Sequence, residues 1–382
     1  MFLYFLSFCF IEFSWGLYYI FLKPRFVDLH ANYFSILLID SLSALAGLLS
    51  VLWGWLGDKY NRKTLLLLSS LGAFSIFFVG RFNKINILLI FIFFSSLFVF
   101  MGYPMIRVGF SFAGVKGLVL LSVAMAIGWS MGSIFSGLFH DVFKFDYKLI
   151  YTISAFIFFS GTLIAYFFYP KEAECERSKV SFKKLFEEWL SKSLRGIGLG
   201  VFLLQMGITL GYALLTVKLY KDVLGGNKLH FAFVWGAIPS IMAILMSPLY
   251  GKIVDKLGGL KSSVLVSGLY FLNLLILIFS KGLLMVLVWF IPLWNFMVIA
   301  LNRLISDITL KEDRGKGMGY LDTVINSAMF LAGFLGVLVD KFSINFGYFL
   351  SVLFVFMSFL TFLSLDLKWG RVLGERKGLV RD

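Results

Sequence analysis

Long apolar runs separated by short polar connections are the feature that most limits what this chain can fold into. A helix that crosses a bilayer needs about 20 mostly apolar residues. A chain of 382 residues that is 60% hydrophobic and 15% charged has too much apolar surface for a water-soluble core. We therefore predict an all-α integral membrane protein with twelve transmembrane helices. The runs lie near 1–22, 31–56, 64–80, 85–106, 117–139, 148–169, 196–218, 230–250, 262–280, 283–306, 317–339 and 343–366.

The runs fall into two groups of six on either side of a polar stretch. This stretch contains apolar residues at helical spacing between Lys and Glu, which is typical of an amphipathic helix at a membrane surface. The first run carries Glu12 and lacks the cleavage site of a signal peptide, so we expect it to be retained. The predicted domains are an N-terminal six-helix bundle (1–169), a cytoplasmic linker with an amphipathic helix (170–195), a C-terminal six-helix bundle (196–366) and a basic cytoplasmic tail (367–382).

The formal net charge of +14 lies in the connections, which indicates membrane topology rather than nucleic-acid binding. Placing the amino terminus in the cytoplasm puts most of the 35 Lys and Arg residues on the cytoplasmic side. We therefore expect a multi-pass protein of the cell membrane with both termini cytoplasmic, in contact with lipid, and monomeric. The two cysteines, Cys9 and Cys175, offer no disulfide framework or metal-ligand spacing, and we expect no metal and no cofactor.

One pattern occurs twice in the chain: small residues at every fourth position, followed by a polar stretch. A small residue at every fourth position makes a flat helix face that a second backbone can approach closely. An Asp and a basic turn follow each face. Ala46, Ser50, Gly54 and Asp58 recur 197 residues later as Ala243, Ser247, Gly251 and Asp255.

A second pair of small-residue faces supports the duplication. Gly128, Gly132 and Ser136 line one face of the fifth helix, and Ala328, Ala332 and Gly336 do so in the eleventh, 200 residues later. Asp141 and Asp340 follow these faces near the outer surface. We infer two bundles of common descent about a pseudo-two-fold axis along the membrane normal, with a ligand cavity between them near mid-membrane.

The first polar stretch resembles a motif of the major facilitator superfamily. Gly54-x-x-x-Asp58-Lys59-x-x-Arg62-Lys63 is similar to the loop between helices 2 and 3 of that family, and 251–261 has the place of its weaker partner. Two departures are Asn61, where the family usually has Gly, and Arg107, which lies at the inner end of the fourth helix instead of within it. The resemblance implies alternating access, in which two bundles rock around a central site.

In this interpretation the repeated loop is a conformational switch. Asp58 would pair with a basic neighbour and lie near a positive helix end while the inner mouth is closed. The alternative is that the loop only sets topology by its positive charge. The predicted switch residues are Gly54, Asp58, Arg62, Lys63, Gly251 and Asp255, and the predicted helix-packing residues are Gly128, Gly132, Ala328 and Ala332.

Ionisable residues within a membrane helix are costly and point to function. Glu12 and Asp40 both lie near the predicted middle of the membrane. Burial disfavours the charged form of a carboxylate, so either residue could take up a proton on one side and release it on the other. The alternative is that each is neutralised by a hydrogen bond within its bundle. Asp322, Asn326 and Gln205 are further candidates for the cavity.

Other polar and aromatic side chains are further candidates for the same cavity or its outer mouth. Aromatic residues in a span are more often at the lipid or the interface than at a ligand. The histidines fall at predicted outer loops, and no basic residue lies well inside a predicted span. These residues are Tyr212 and Asn295; the aromatic residues Trp15, Tyr18, Tyr103, Trp129, Trp235 and Trp294; and His30, His140 and His230.

We predict secondary active transport of a small organic solute and no enzymatic activity. The chain has neither an Asp-rich cluster for a metal-bound diphosphate nor a phosphate-binding G-x-x-x-x-G-K-[ST] loop. The stretch 128–137 resembles in part the fifth-helix pattern of the family's proton-coupled exporters. This favours proton-coupled export of a hydrophobic or weakly polar compound. The alternatives are uptake of a neutral metabolite or sugar, and a transport-dead receptor on the same fold.

Overall fold

The computed structural model describes residues 2–59, 61–111, 114–170, 192–308 and 314–378. The regular elements in these ranges are all helical. Twelve of their helical segments are long and apolar enough to cross a membrane, which confirms the predicted fold class. We number them spans 1 to 12: Phe2–Asp28, Tyr33–Gly54, Arg62–Val79, Ile85–Phe110, Val123–Val142, Tyr147–Phe167, Arg195–Val223, Lys228–Leu257, Gly259–Phe279, Gly282–Ile308, Tyr320–Lys341 and Ile344–Lys368.

Several spans are interrupted or extended helices. Span 1 consists of the helices Phe2–Tyr19 and Leu22–Asp28, and the helix Tyr33–Leu48 of span 2 is followed by Ser50–Lys59. The helix of span 12 continues to Gly378, past residue 367, where the tail was predicted to begin. The predicted amphipathic helix of the linker falls largely on 171–191, outside the described residues. The domain boundaries stay a prediction.

Successive spans run in opposite directions and define two faces. We call the face that holds Phe2, Asn61 and Gly258 the N-terminal face. The opposite face holds the connections 29–32, 143–146 and 224–227. Several helices on the opposite face begin at a polar residue whose side chain accepts a hydrogen bond from a backbone N–H of the first turn. These caps are Asn32 for Ser35 N, Asp146 for Leu149 N and Asn227 for His230 N.

Small residues bring span 5 against span 1. A Cβ added to Gly132 would clash with the carbonyl oxygen of Phe13, and one added to Gly128 would lie 2.5 Å from the Cβ of Glu12. One turn further on, the hydroxyl of Ser136 donates to the carbonyl of Leu17 at 3.0 Å. The contact places the predicted small-residue face of span 5 on the helix that carries Glu12. In span 11, Ala328 and Ala332 are fully buried.

Cations that donate to the carbonyls ending a span recur at the opposite face in both groups of spans. Arg25, in span 1, donates to the carbonyls that end span 3, with 2.7 Å to Val79 O. Lys218, in span 7, does the same for span 9, with 2.6 Å to Ile278 O. Arg25 is buried in the last turn of span 1, whereas the predicted run ends at residue 22.

Candidate transport pathway

Spans 1–6 and 7–12 are joined at the opposite face by carboxylates that cap helices of the other group. Asp340, at the end of span 11, accepts hydrogen bonds from the backbone N–H groups of Tyr33 (2.9 Å) and Phe34 (3.1 Å) at the start of span 2. Asp141, at the end of span 5, accepts one from the N–H of Leu229 (2.6 Å) at the start of span 8. A negative charge is favourable at a helix start because the first N–H groups have no partner within the helix. The two contacts are related by the sequence repeat.

A charged cluster adjoins the Asp141 cap. The ammonium of Lys228 lies 2.9 Å from Asp28 Oδ2, and the Tyr220 hydroxyl donates to Asp28 Oδ1 at 3.1 Å. Lys228 and Tyr220 belong to spans 8 and 7, whereas Asp28 ends span 1. The prediction that His140 and His230 lie in loops is wrong, because both are in helical turns. The π-helical turn Leu138–Val142 extends span 5 far enough to place His140 inside this cluster.

Glycine contacts show that the two faces differ. A Cβ added to Gly336 in span 11 would lie 2.7 Å from Phe34 Cα, and one added to Gly236 in span 8 would lie 2.6 Å from Ser133 Oγ in span 5. Towards the N-terminal face, a Cβ at Gly54 or Gly251 would meet no atom of the described chain within 4 Å. Among the described residues, the two halves thus pack together at Gly336 and Gly236 on the opposite face, whereas Gly54 and Gly251 have open space beside them.

Glu12 lies between these two regions and is buried. Its carboxylate accepts a short hydrogen bond from the hydroxyl of Tyr103 in span 4. Only 2% of Glu12 is exposed, and no ion pair to it occurs among the described residues. Span 5 passes directly over its Cβ at Gly128. A charged carboxylate with one neutral donor is costly in such surroundings, so this position is suited to a carboxyl group that takes up and releases a proton.

Asp40 has a different environment. The ammonium of Lys23 lies 2.7 Å from Asp40 Oδ2, and the hydroxyl of Tyr19 donates to Asp40 Oδ1 at 2.7 Å. The pair is buried within span 1 and span 2. Glu12 and Asp40 therefore have separate partners. This arrangement favours the alternative that Asp40 is neutralised inside its own bundle.

Asp322 lies in an ion pair that crosses between the halves. Its Oδ2 is 3.8 Å from Arg107 Nη1, and about half of each side chain is exposed (54% and 55%). One turn further along span 11, the Asn326 amide donates to the carbonyl of Asp322 at 2.9 Å. The Asn326 side chain also packs on Gly47 of span 2, where an added Cβ would lie 2.6 Å from its Oδ1. Both predicted cavity residues of span 11 therefore face the other half.

Gln205 is buried in span 7. Its amide donates to Thr209 Oγ1 at 3.1 Å, whereas Oε1 has no hydrogen-bond partner in the described part of the molecule. Tyr212, two turns further on, donates to Asn273 Oδ1 at 2.6 Å. An unpartnered buried oxygen makes Gln205 the better candidate of the two for contact with a solute.

A row of half-buried aromatic rings connects the halves beside Glu12. Trp15 stacks on Tyr19 with centroids 5.3 Å apart, Tyr19 lies 6.2 Å from Trp129, and Trp129 lies 6.3 Å from Trp235. Because these residues belong to spans 1, 5 and 8, the row passes from one half to the other. The other predicted aromatic candidates differ in placement. Tyr18 is buried and its hydroxyl is hydrogen-bonded to that of Ser95. Tyr103 donates a hydrogen bond to Glu12, and Trp294 is 49% exposed.

The residues of the repeated loop are placed at the N-terminal face. Asn61 caps the helix Arg62–Ser69 by accepting from Lys63 N (2.8 Å) and Thr64 N (3.2 Å). The Lys63 ammonium lies 5.0 Å from the centre of the Tyr166 ring. The Asp58 side chain lies outside the described part of the molecule. In the second copy, Asp255 Oδ1 is 3.8 Å from Arg303 Nη1 in an exposed pair within the same half.

These features are those of a helical membrane transporter. The described residues contain no group of three or more His, Cys, Asp and Glu that could hold a metal ion. The chain belongs to the Major Facilitator Superfamily, whose family profile matches residues 4–333.

Curated relatives include transporters named for drug resistance. "Multidrug resistance protein MdtG" of Dickeya zeae (strain Ech586) is 28% identical over 225 residues, which cover 55% of this chain and 53% of that protein. The protein of the same name from Salmonella choleraesuis (strain SC-B67) is 26% identical over 243 residues, covering 59% of this chain and 58% of that protein. The match thus spans little more than half the length of these relatives.

Solved structures show the same fold over nearly the whole chain. A mutant of the nucleoside transporter NupG matches with a TM-score of 0.79 and 17% identity, covering 95% of this chain and 98% of that one. A POT family transporter in complex with a thioalcohol-conjugated peptide matches with a TM-score of 0.77 and 13% identity, covering 97% and 96%. At this level of identity the likeness concerns the fold alone.

Proposed function

We propose that the protein exports a hydrophobic or weakly polar organic compound by alternating access, coupled to proton entry. The observation that carries this proposal is the buried Glu12–Tyr103 pair beside the aromatic row. The open space beside Gly54 and Gly251 in the described part of the chain supports it. The row offers ring surfaces for stacking, and Glu12 offers one proton-binding group.

The proposed orientation places the N-terminal face in the cytoplasm, in keeping with the positive-inside rule. The structure would then correspond to a carrier open to the cytoplasm. A solute would enter between Gly54 and Gly251 and reach Trp129 and Trp235. In this state the Arg107–Asp322 ion pair would bridge the halves at one side of the entrance. Because one chain supplies both halves, we further propose that the monomer is the working unit.

Coupling would follow from competition at Glu12. With the outer side open, Glu12 takes up a proton from outside. When the carrier reopens to the cytoplasm, the proton leaves, and a solute on the aromatic row replaces it or follows it. The direction of export is supported by the names of the curated relatives, which are multidrug resistance proteins.

Transport by the purified protein in proteoliposomes tests this proposal. The panel contains a lipophilic dye, a neutral sugar, a nucleoside and a dipeptide, each assayed by counterflow and under an imposed pH gradient. We expect counterflow of the dye, and its accumulation against a gradient when protons move the other way. Counterflow of the sugar, nucleoside or dipeptide alone would instead favour uptake. Absence of counterflow for all four solutes would contradict a role as carrier of these classes.

A further inference from the structure

The caps Asp141–Leu229 and Asp340–Tyr33/Phe34 join the two halves at the opposite face, and we call them the seal. The Asp141 cap has a titratable side chain beside it that the Asp340 cap lacks. His140 Nδ1 lies 2.8 Å from Asp141 Oδ1, and His140 Nε2 lies 3.2 Å from Lys228 Nζ. Asp141 caps the start of span 8 through Leu229, and Lys228 belongs to that same start. At the second cap, the residue before Asp340 is Val339, which is buried and cannot titrate. The imidazole therefore bridges the two halves at one cap only.

The distances specify the protonation state that the seal requires. In the neutral imidazole with its proton on Nδ1, that N–H donates to Asp141 and the Nε2 lone pair accepts a proton of the Lys228 ammonium. A second proton on Nε2 removes this acceptor and sets two positive groups against each other. The contact between the imidazole and the ammonium of Lys228 is then lost, whereas the bond to Asp141 remains and Asp28 still pairs with Lys228.

The other groups around His140 do not remove this conflict. Tyr147 of span 6 faces the imidazole with its ring, at 5.5 Å between centroids. Asp28 of span 1 is already bonded to Lys228, Tyr147 and Tyr220. The guanidinium of Arg25 lies 5.2 Å from the centre of the Tyr147 ring and adds positive charge nearby. Within the described ranges, the one carboxylate in contact with the imidazole is that of its neighbour Asp141, which belongs to the same half.

We propose that His140 is a pH-sensitive latch, whose protonation from the opposite face breaks its contact with Lys228 and weakens the seal between spans 5 and 8. Histidine side chains change charge between about pH 5 and pH 8. Acid at the opposite face would thus favour opening there, before any solute is bound. The inference concerns the seal alone, so it holds for either direction of transport and for any solute.

Distance measurements by double electron–electron resonance can test this latch without a substrate. Lys84 and Lys281 are exposed at the opposite face, one in each half, and are related by the 197-residue repeat. Spin labels at Lys84→Cys and Lys281→Cys, with Cys9→Ser and Cys175→Ser, report the opening of that face in nanodiscs. Between pH 8 and pH 5.5, we expect the ratio of open to closed molecules to rise about fivefold, roughly the effect of one lost hydrogen bond.

Two variants separate the latch from other titrating groups. His140→Gln keeps a polar side chain that cannot become charged, and Lys228→Gln removes the opposing charge; each should abolish most of the pH response. His230→Gln is the matched control, since His230 is exposed in the same helical turn and should leave the response unchanged. A full pH response in His140→Gln, or none in the unsubstituted protein, would overturn the proposal. Transport assays of solutes play no part in either result.

Discussion

The carboxylate of Asp340 holds the backbone N–H of Tyr33 at 2.9 Å, although the two residues are 307 positions apart. Each half therefore completes the hydrogen bonding of a helix in the other half. The first turn of span 2 is capped within its own chain segment only by Asn32, which serves Ser35. Loss of Asp340 leaves two further N–H groups without their acceptor, which connects the state of the seal to the ends of spans 2 and 11.

Replacing Asp340 by Ala should shift the molecule towards opening at the opposite face. Loss of a helix cap costs about 1–2 kcal/mol, which corresponds to roughly a 5- to 30-fold change in the open-to-closed ratio. The Lys84–Lys281 distance distribution measures this ratio. Asp146→Ala removes a comparable cap that lies within one half, at Leu149. The control should lower the melting temperature with an unchanged distance distribution, and equal shifts in both variants would contradict a specific role of Asp340.

Glu12→Gln should uncouple transport from the pH gradient. The amide occupies the same buried position but takes up no proton, so counterflow continues while gradient-driven accumulation is lost. Tyr103→Phe removes the donor to Glu12 and should change the pH at which coupling is half-maximal. Tyr18→Phe, which removes a buried hydroxyl bonded to Ser95 instead, is the control and should retain coupling. Normal pH-driven accumulation by Glu12→Gln would refute the assigned role.

A larger side chain at Gly251 should stop the transport cycle by preventing closure of the N-terminal face. An added Cβ meets no described atom within 4 Å there, so Gly251→Val should be well folded yet unable to close the N-terminal face. Gly336→Val should have the reverse effect, because its Cβ would press on the backbone of Phe34 and hold the opposite face open. Cysteine accessibility at the two faces distinguishes these outcomes. If Gly251→Val transports at the normal rate, the small-residue face does not take part in closure.

The two copies of the repeated loop should differ in importance. Asp255 has an exposed partner in its own half, Arg303, and such pairs contribute little. The first copy retains the full set of Asp58, Arg62 and Lys63. Asp58→Asn should therefore reduce the initial rate of transport more than Asp255→Asn at equal expression. The reverse order would show that the second copy is the principal switch.

The fold was predictable because bilayer thickness sets the length of each apolar run. The helix-packing faces were also visible, since Gly128 and Gly132 recur at helical spacing on one side of span 5. The helix caps that one half provides for the other could not be predicted from the local sequence pattern. Asp141 and Asp340 stood out beside the small-residue faces, but their partners are 88 and 307 positions away.

The environment of each buried carboxyl group also depended on tertiary structure. Glu12 and Asp40 have similar predicted depths, yet only Asp40 receives a cation. Lys23 reaches it because span 1 runs on past its predicted end, and nothing in the run of apolar residues signals that extension. Likewise, the π-helical turn that carries His140 inward has no evident sequence signature.

The paired caps make the seal bivalent. When one carboxylate releases its helix, the other still holds the two halves within reach, and the first contact re-forms as an intramolecular event at high effective concentration. Stable opening therefore requires both contacts to separate together. A carrier built this way should pass between closed and open as an all-or-none step, and single-molecule distance records should show two levels without a half-open plateau.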